Sequence, residues 1–254
     1  MSEIPDELKS LPLPPTLGAA FIGLFLSAIF YGVTLLQAYQ YITGYWKSDP
    51  VFLRSFVMLL MVLDTLGLLT TMHFMWFFLI ENYGNLGALL TVSPSLVVFL
   101  VVTSLVGFLV QVFYAYRIYM LGGRKIWIPA AIVLLAFACL ALGVTYIVEL
   151  YIIGSMLYIP AITFLSTTSL ACAFASDALI AASMIFYLMQ GRQQGMKRSN
   201  NTIKKLMIYS INTGVITTAC TIIALLVGQI LIDTFYNTVF YFPLNNCYLN
   251  SMLA

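Results

Sequence analysis

Long apolar runs separated by short polar connections dominate the chain. The runs cover about residues 17–42, 51–80, 94–121, 127–153, 161–190, 203–232 and 234–254. The first four end at "TGYWKSDP", "ENYGN", "GGRK" and "GSMLYIP". A helix needs ~20 mostly apolar residues to cross a bilayer. The pattern therefore predicts an all-α polytopic membrane protein with seven transmembrane helices. They form one domain, 17–254, behind an extracellular amino-terminal segment, 1–16. Several runs exceed the minimum length, so tilted helices with projecting ends are expected. No internal repeat is visible, unlike the duplicated halves of many transporters.

Composition agrees with the pattern. The chain is 62% hydrophobic and 8% charged, with a mean hydropathy of +1.00, whereas soluble domains carry about 25% charged residues. The lipid bilayer is the first expected partner. Basic runs interleaved with aromatics are missing, which argues against nucleic acid as a ligand. The opening "MSEIPDELKSLPLPP" is acidic and proline-rich, and the apolar run after it is too long for a signal-peptide core. That run reads as a retained first span. Cys139, Cys172, Cys220 and Cys247 all fall inside apolar runs and outside any CxxC. They read as small hydrophobes rather than as disulfide or zinc ligands.

Charge sets the orientation. Lys47 and Arg54 flank the first connection, and Arg117, Arg124 and Lys125 flank the third. Arg192, Lys197, Arg198, Lys204 and Lys205 form a basic patch at the fifth. The second, fourth and sixth connections hold no lysine or arginine and carry Glu81, Glu149 and Asp233. The positive-inside rule then places the amino terminus outside and the carboxyl terminus in the cytoplasm. The run lengths favour the plasma membrane over the thinner endoplasmic reticulum.

Two acids interrupt the apolar pattern. Asp64 stands in "MLLMVLDTLGLLTTMHFMWFFLI", about 20 Å along its helix from Val51. Asp177, in "LACAFASDALIAASM", lies at a matching distance from Gln190. A centred aspartate costs roughly 2.5–3.5 kcal/mol on insertion scales, so both should face the bundle interior or a wet cavity. Asp64, Gly67 and Thr71 share one helical stripe. His73, the only histidine, lies about 180° around the same helix and reads as a structural residue bonded to a neighbour. Ser104, Gly107 and Gln111 share a stripe on the third helix. Asn212 and three threonines lie on the sixth; Asn237, Tyr241, Tyr248 and Ser251 share a face of the seventh, where Pro243 predicts a kink. Such polar groups are also ordinary packing glue between membrane helices, worth ~0.6 kcal/mol each.

Absences narrow the chemistry. One histidine cannot build a multi-histidine zinc site or a bis-histidine haem. HExxH, GxSxG and P-loop motifs are missing. Without a lysine between Lys205 and Ala254, a retinal Schiff base on the last helix is excluded. The reading is a non-enzymatic protein without cofactor or metal. "YRIY" puts Arg117 at the inner end of helix three, as in rhodopsin-like receptors. The acidic partner before it, the cysteine at the outer end of that helix and the proline expected in "NNCY" are absent.

The stretches "LDTLGLLTTMHFMWFFLIENYGN", "VQVFYAYRIYML", "SDALIAASMIFYLMQGRQQGMKRSNNTIKKLMIYSINTGVITTACTIIALL" and "FPLNNCYLNSMLA" carry a resemblance. They resemble a fungal family of seven-helix membrane proteins, the domain of unknown function 6534. The likeness runs over nearly the whole chain from Leu17 and is most specific from Asp177 to Gly214 and in "YLNSMLA". It implies seven helices and places Asp64, Arg117, Asp177 and Asn212 at motif positions, with no established activity attached. In that family the ending continues into an "LNAR"-like stretch, so a missing cytoplasmic tail is expected.

Three functional readings remain open on the sequence. The first is a receptor or sensor with a small-molecule ligand in the outer half of the bundle. Asp64 and Asp177 would be its polar anchors or a protonation switch, Thr71, Gln111, Asn212 and Tyr241 would complete the candidate site, and a cytoplasmic partner would meet residues 192–205. The second is a transporter or proton-coupled channel whose two acids relay a cation. The third is a structural or assembly protein whose acids only fix helix packing.

Overall fold

The computed structural model describes residues 17–155, 159–193, 217–228, 230 and 236–253. Among the described residues five helices are long and apolar enough to cross a membrane. They are α1 (Ala19–Gly44), α2 (Val51–Trp76), α3 (Pro94–Leu121), α4 (Trp127–Ile153) and α5 (Ile159–Gln193). Shorter helices follow: α6 (Thr217–Gly228), α7 (Thr238–Tyr241) and α8 (Leu244–Leu253). Among the described residues the architecture is entirely helical, apart from one isolated bridge between Thr91 and Ser155.

Local chemistry places the ends. Pro50 and Ser93 are extended immediately before α2 and α3, and Pro94 occupies the first turn of α3, where a missing N–H costs nothing. Helix α4 ends at Gly154, in the left-handed region at φ 64°, a conformation that glycine adopts without strain. Helix α2 runs on through a π-turn, Phe77–Glu81, giving a 31-residue apolar span.

Large apolar side chains cover the outside. Phe25, Ile29, Val62, Leu69, Leu134 and Phe164 are exposed, Leu134 by 73% and Phe164 by 75%. Contiguous apolar surface on this scale needs lipid around it, and the chain is an integral membrane protein. The inner stripe of α1 is small and weakly polar instead: Ala19, Ala20, Gly23, Ser27, Thr34 and Ala38. Small residues of this kind let membrane helices approach closely. At Gly23 a Cβ would lie 2.6 Å from the carbonyl oxygen of Thr238.

The last segment departs from the continuous run expected over 234–254. It is divided at Phe242–Pro243 into α7 and α8. Proline has no N–H to continue the ladder, and its ring crowds the carbonyl one turn back. Phe242 fixes the break, packing edge-to-face on Phe74 and Phe99 at 5.9 and 5.2 Å between ring centroids. From Leu244 to Ser251 every residue of α8 is buried, so this piece occupies the interior of the bundle. Of the expected sixth span, 203–232, residues 203–216, 229, 231 and 232 lie outside the described residues.

The Gly23 contact is testable. Gly23→Ala should destabilise the purified protein by about 1–3 kcal/mol through overpacking, read as a lower melting temperature. Gly32→Ala, with nothing within 4 Å of the added methyl, should leave it unchanged.

Candidate functional site

Helix α8 is polar on every side. Asn245, Asn246, Tyr248, Asn250 and Ser251 fall in seven consecutive residues and point in different directions around its axis. Each needs a partner, because a buried polar group without one costs about 1–3 kcal/mol. The surrounding helices supply them.

Asp64 on α2 is fully buried. Its Oδ1 accepts from Asn245 Nδ2 at 2.8 Å and from Asn246 Nδ2 at 2.9 Å. Gly67, one turn on, makes the space: a Cβ there would lie 3.0 Å from Asn245 Nδ2. Asp177 on α5 is bound differently, one donor to each oxygen. Gln111 Nε2 donates to Oδ1 at 3.1 Å and the Tyr248 hydroxyl donates to Oδ2 at 2.9 Å. Helix α1 adds Ser27, which donates to Asn246 Oδ1 at 2.7 Å, and Thr34, which donates to Asn250 Oδ1 at 2.8 Å. Asn250 Nδ2 returns a bond to the Phe30 carbonyl at 3.1 Å. From α3, the Tyr114 hydroxyl donates to the Ser251 carbonyl at 2.7 Å. Four helices thus converge on one short polar helix.

A cavity of about 180 Å³ lies beside this network, not within it. Its wall takes Leu100 and Ser104 from α3, Gly143 and Tyr146 from α4, and Ser166 and Ser169 from α5. Ala224 and Gly228 of α6, with Asn237, Thr238, Tyr241 and Phe242 around α7, close it. The surface is apolar with hydroxyl and amide groups, and among the described residues no Asp, Glu, His, Lys or Arg lines it. These residues come from the ends of the helices remote from the lysine- and arginine-bearing connections. At the same end Val92 N–H donates to the Gly154 carbonyl at 3.3 Å, joining the second and fourth connections.

The sequence-derived candidates therefore separate. Gln111 and Asp177 meet through a direct bond. Asp64 grips the same helix as Asp177 but through other residues. Thr71 is buried, and its hydroxyl donates to the Gly67 carbonyl of its own helix at 2.9 Å. Tyr241 lines the cavity, whereas Asp64, Asp177, Gln111 and Thr71 do not. Asn212, Lys197, Arg198, Lys204 and Lys205 lie outside the described residues; Arg192 stands in the last turn of α5. His73 is exposed on the far side of α2, its Nδ1 2.5 Å from Ser95 Oγ.

Sequence reading passed over Ser27, Thr34, Tyr114, Asn245, Asn246 and Asn250. A signal existed for the asparagines: three in six residues, at 245, 246 and 250, is too polar a density for a lipid-facing helix. The hydroxyls on α1 and α3 carried none, since single serines, threonines and tyrosines are common in spans.

Tyr248→Phe removes one of the two donors to Asp177. It should cost about 1–3 kcal/mol, seen as a lower melting temperature. In the Gln111→Leu background the same change should cost a different amount, because both act on one carboxyl group.

Residues 173–254 match the model of a family of unknown function (DUF6534). The matched part contains Asp177, α6, α7 and α8; Asp64, α1 and Gln111 precede it. No curated protein and no solved structure matches the chain.

Proposed function

We propose that this protein is a non-enzymatic receptor or sensor of the fungal seven-span family that its sequence resembles. It sits in the plasma membrane with its amino terminus outside, and its ligand is a small neutral molecule. The observation that carries this reading is the cavity's closing wall. Asn237, Thr238, Tyr241 and Phe242 line it, and beyond Pro243 the same segment becomes α8, bound to Asp64 and Asp177.

Size and lining indicate the ligand. A cavity of about 150 Å³ holds a benzene ring, so about 180 Å³ suits one ring with a substituent. The hydroxyls of Ser104, Tyr146, Ser166 and Tyr241 along the apolar wall suit a molecule bearing an alcohol or carbonyl group. A charged ligand would meet no counter-charge there and would have to lose its hydration.

The signal passes through the seventh segment. A ligand that favours one position of α7 shifts Phe242 against Phe74 and Phe99, and with it the register of α8 among its polar partners. Only differential affinity for the two positions can drive such a shift. Asp177 conveys it to α5, whose cytoplasmic end leads into the basic connection 192–205. Both acids are committed to helix contacts and neither borders the cavity, which favours sensing over an ion path through it.

Thermal shifts with neutral single-ring alcohols and lactones on protein in nanodiscs test the proposal. A fitting compound at a hundredfold excess over its Kd should stabilise by about 2.7 kcal/mol. Ser166→Phe, which fills the cavity, should abolish the shift. Proteoliposomes should show no proton or cation flux above empty ones; flux lost in Asp64→Asn or Asp177→Asn would establish transport instead.

A further inference from the structure

Two buried polar atoms without a hydrogen-bond partner belong to one joined pair of side chains. Asn245 donates through Nδ2 to Asp64 Oδ1 at 2.8 Å. The other oxygen of each group, Asp64 Oδ2 and Asn245 Oδ1, is buried and unpartnered. Asp64 is 0% and Asn245 2% exposed. Both orphans are acceptors, and an ionised carboxylate offers no donor. Asp177 differs, since each of its oxygens has a donor.

A carboxyl group and a primary amide are both planar forks with matching spacing. When the amide N–H on the side of its own oxygen meets one carboxyl oxygen in the carboxyl plane, the second carboxyl oxygen and the amide oxygen form the other edge of the pair. A single hydrogen between them satisfies both. The surroundings favour a proton over a metal cation. Asp64 Oδ1 is already occupied by two N–H donors, leaving two free oxygens where hard cations take six or more. Besides burial, the groups acting on Asp64 are Asn246, Thr34 and Asn245, all uncharged. Titratable groups around it are the Cys247 thiol on α8 and, on α1, Tyr31, whose hydroxyl is 2.8 Å from Oγ1 of the adjacent Thr65. Neither supplies positive charge. On α3 the residue facing Gly67 is Val102.

We propose that Asp64 and Asn245 form a proton-binding site: Asp64 Oδ2 carries a proton and donates it to Asn245 Oδ1, closing a cyclic acid–amide pair that holds α8 to α2. Loss of the proton sets a carboxylate oxygen against an amide oxygen and loosens this junction. The bond that the junction gains from this proton is lost where pH rises far enough to remove it.

Infrared spectra of the full chain in nanodiscs at neutral pH test this, with Asp64→Asn as the comparison. Wild type should show a protonated carboxylic acid carbonyl band that the variant lacks. Asp64→Asn should fold with an undiminished melting temperature, because an amide at this position keeps all three bonds, and its melting temperature should fall less with rising pH than that of wild type. Absence of the acid band, or stabilisation by sodium ions in wild type but not in Asp64→Asn, overturns the proposal. Failure of Asp64→Asn to fold also counts against it. A second variant, Asn245→Ala, reads the bond directly: the band should move to higher frequency as the acid loses its acceptor, and an unmoved band refutes the pair.

Discussion

A polar helix in the middle of an apolar bundle governs this structure. Lipid can solvate the outer faces of the long helices but offers nothing to asparagine, and no water is at hand in the hydrocarbon core. Helix α8 brings Asn245, Asn246, Asn250 and Ser251 into that environment. It is stable there only because the surrounding helices present complementary groups: Ser27 and Thr34 on α1, Asp64 on α2, Tyr114 on α3 and Asp177 on α5. The two acids, which would be costly alone, are acceptors for the donors that α8 must place. Each side of the network makes the other tolerable.

Aromatic packing and polar bonding divide the seventh segment between them. Phe242 is held by shape against Phe74 and Phe99, and beyond Pro243 the chain is held by hydrogen bonds. Aromatic contacts tolerate sliding, whereas a paired carboxyl and amide are satisfied only in register. The cavity abuts the first part alone. A space of about 180 Å³ thus adjoins an element whose far end is held by bonds that depend on register.

Much of this was legible in the pattern. The apolar runs gave α1 to α5 nearly residue for residue, because span length is set by bilayer thickness and termini by Pro50, Pro94 and Gly154. Asp64 and Thr71 were expected to face inward, and both are buried. The placement of His73 beside Ser95 follows from the same helical periodicity that put it opposite Asp64. Pro243 marked the break in the last segment. What the break produces, a wholly enclosed polar helix, depends on how deep the segment lies, and hydropathy cannot supply that for a stretch so rich in asparagine.

The sequence by itself determined the membrane as solvent, the number and limits of the long apolar helices among the described residues, and the presence of acids that must turn inward. These are local properties, fixed by transfer energies and by a period of 3.6 residues. Only the tertiary structure decided which donor meets which acid, that Asp64 and Asp177 serve one helix through different residues, and that the cavity lies apart from both. Such pairings join positions far apart in the chain, such as Asp64 and Asn246. Their choice follows from helix rotation and from close approaches such as those at Gly23 and Gly67, which no local pattern encodes.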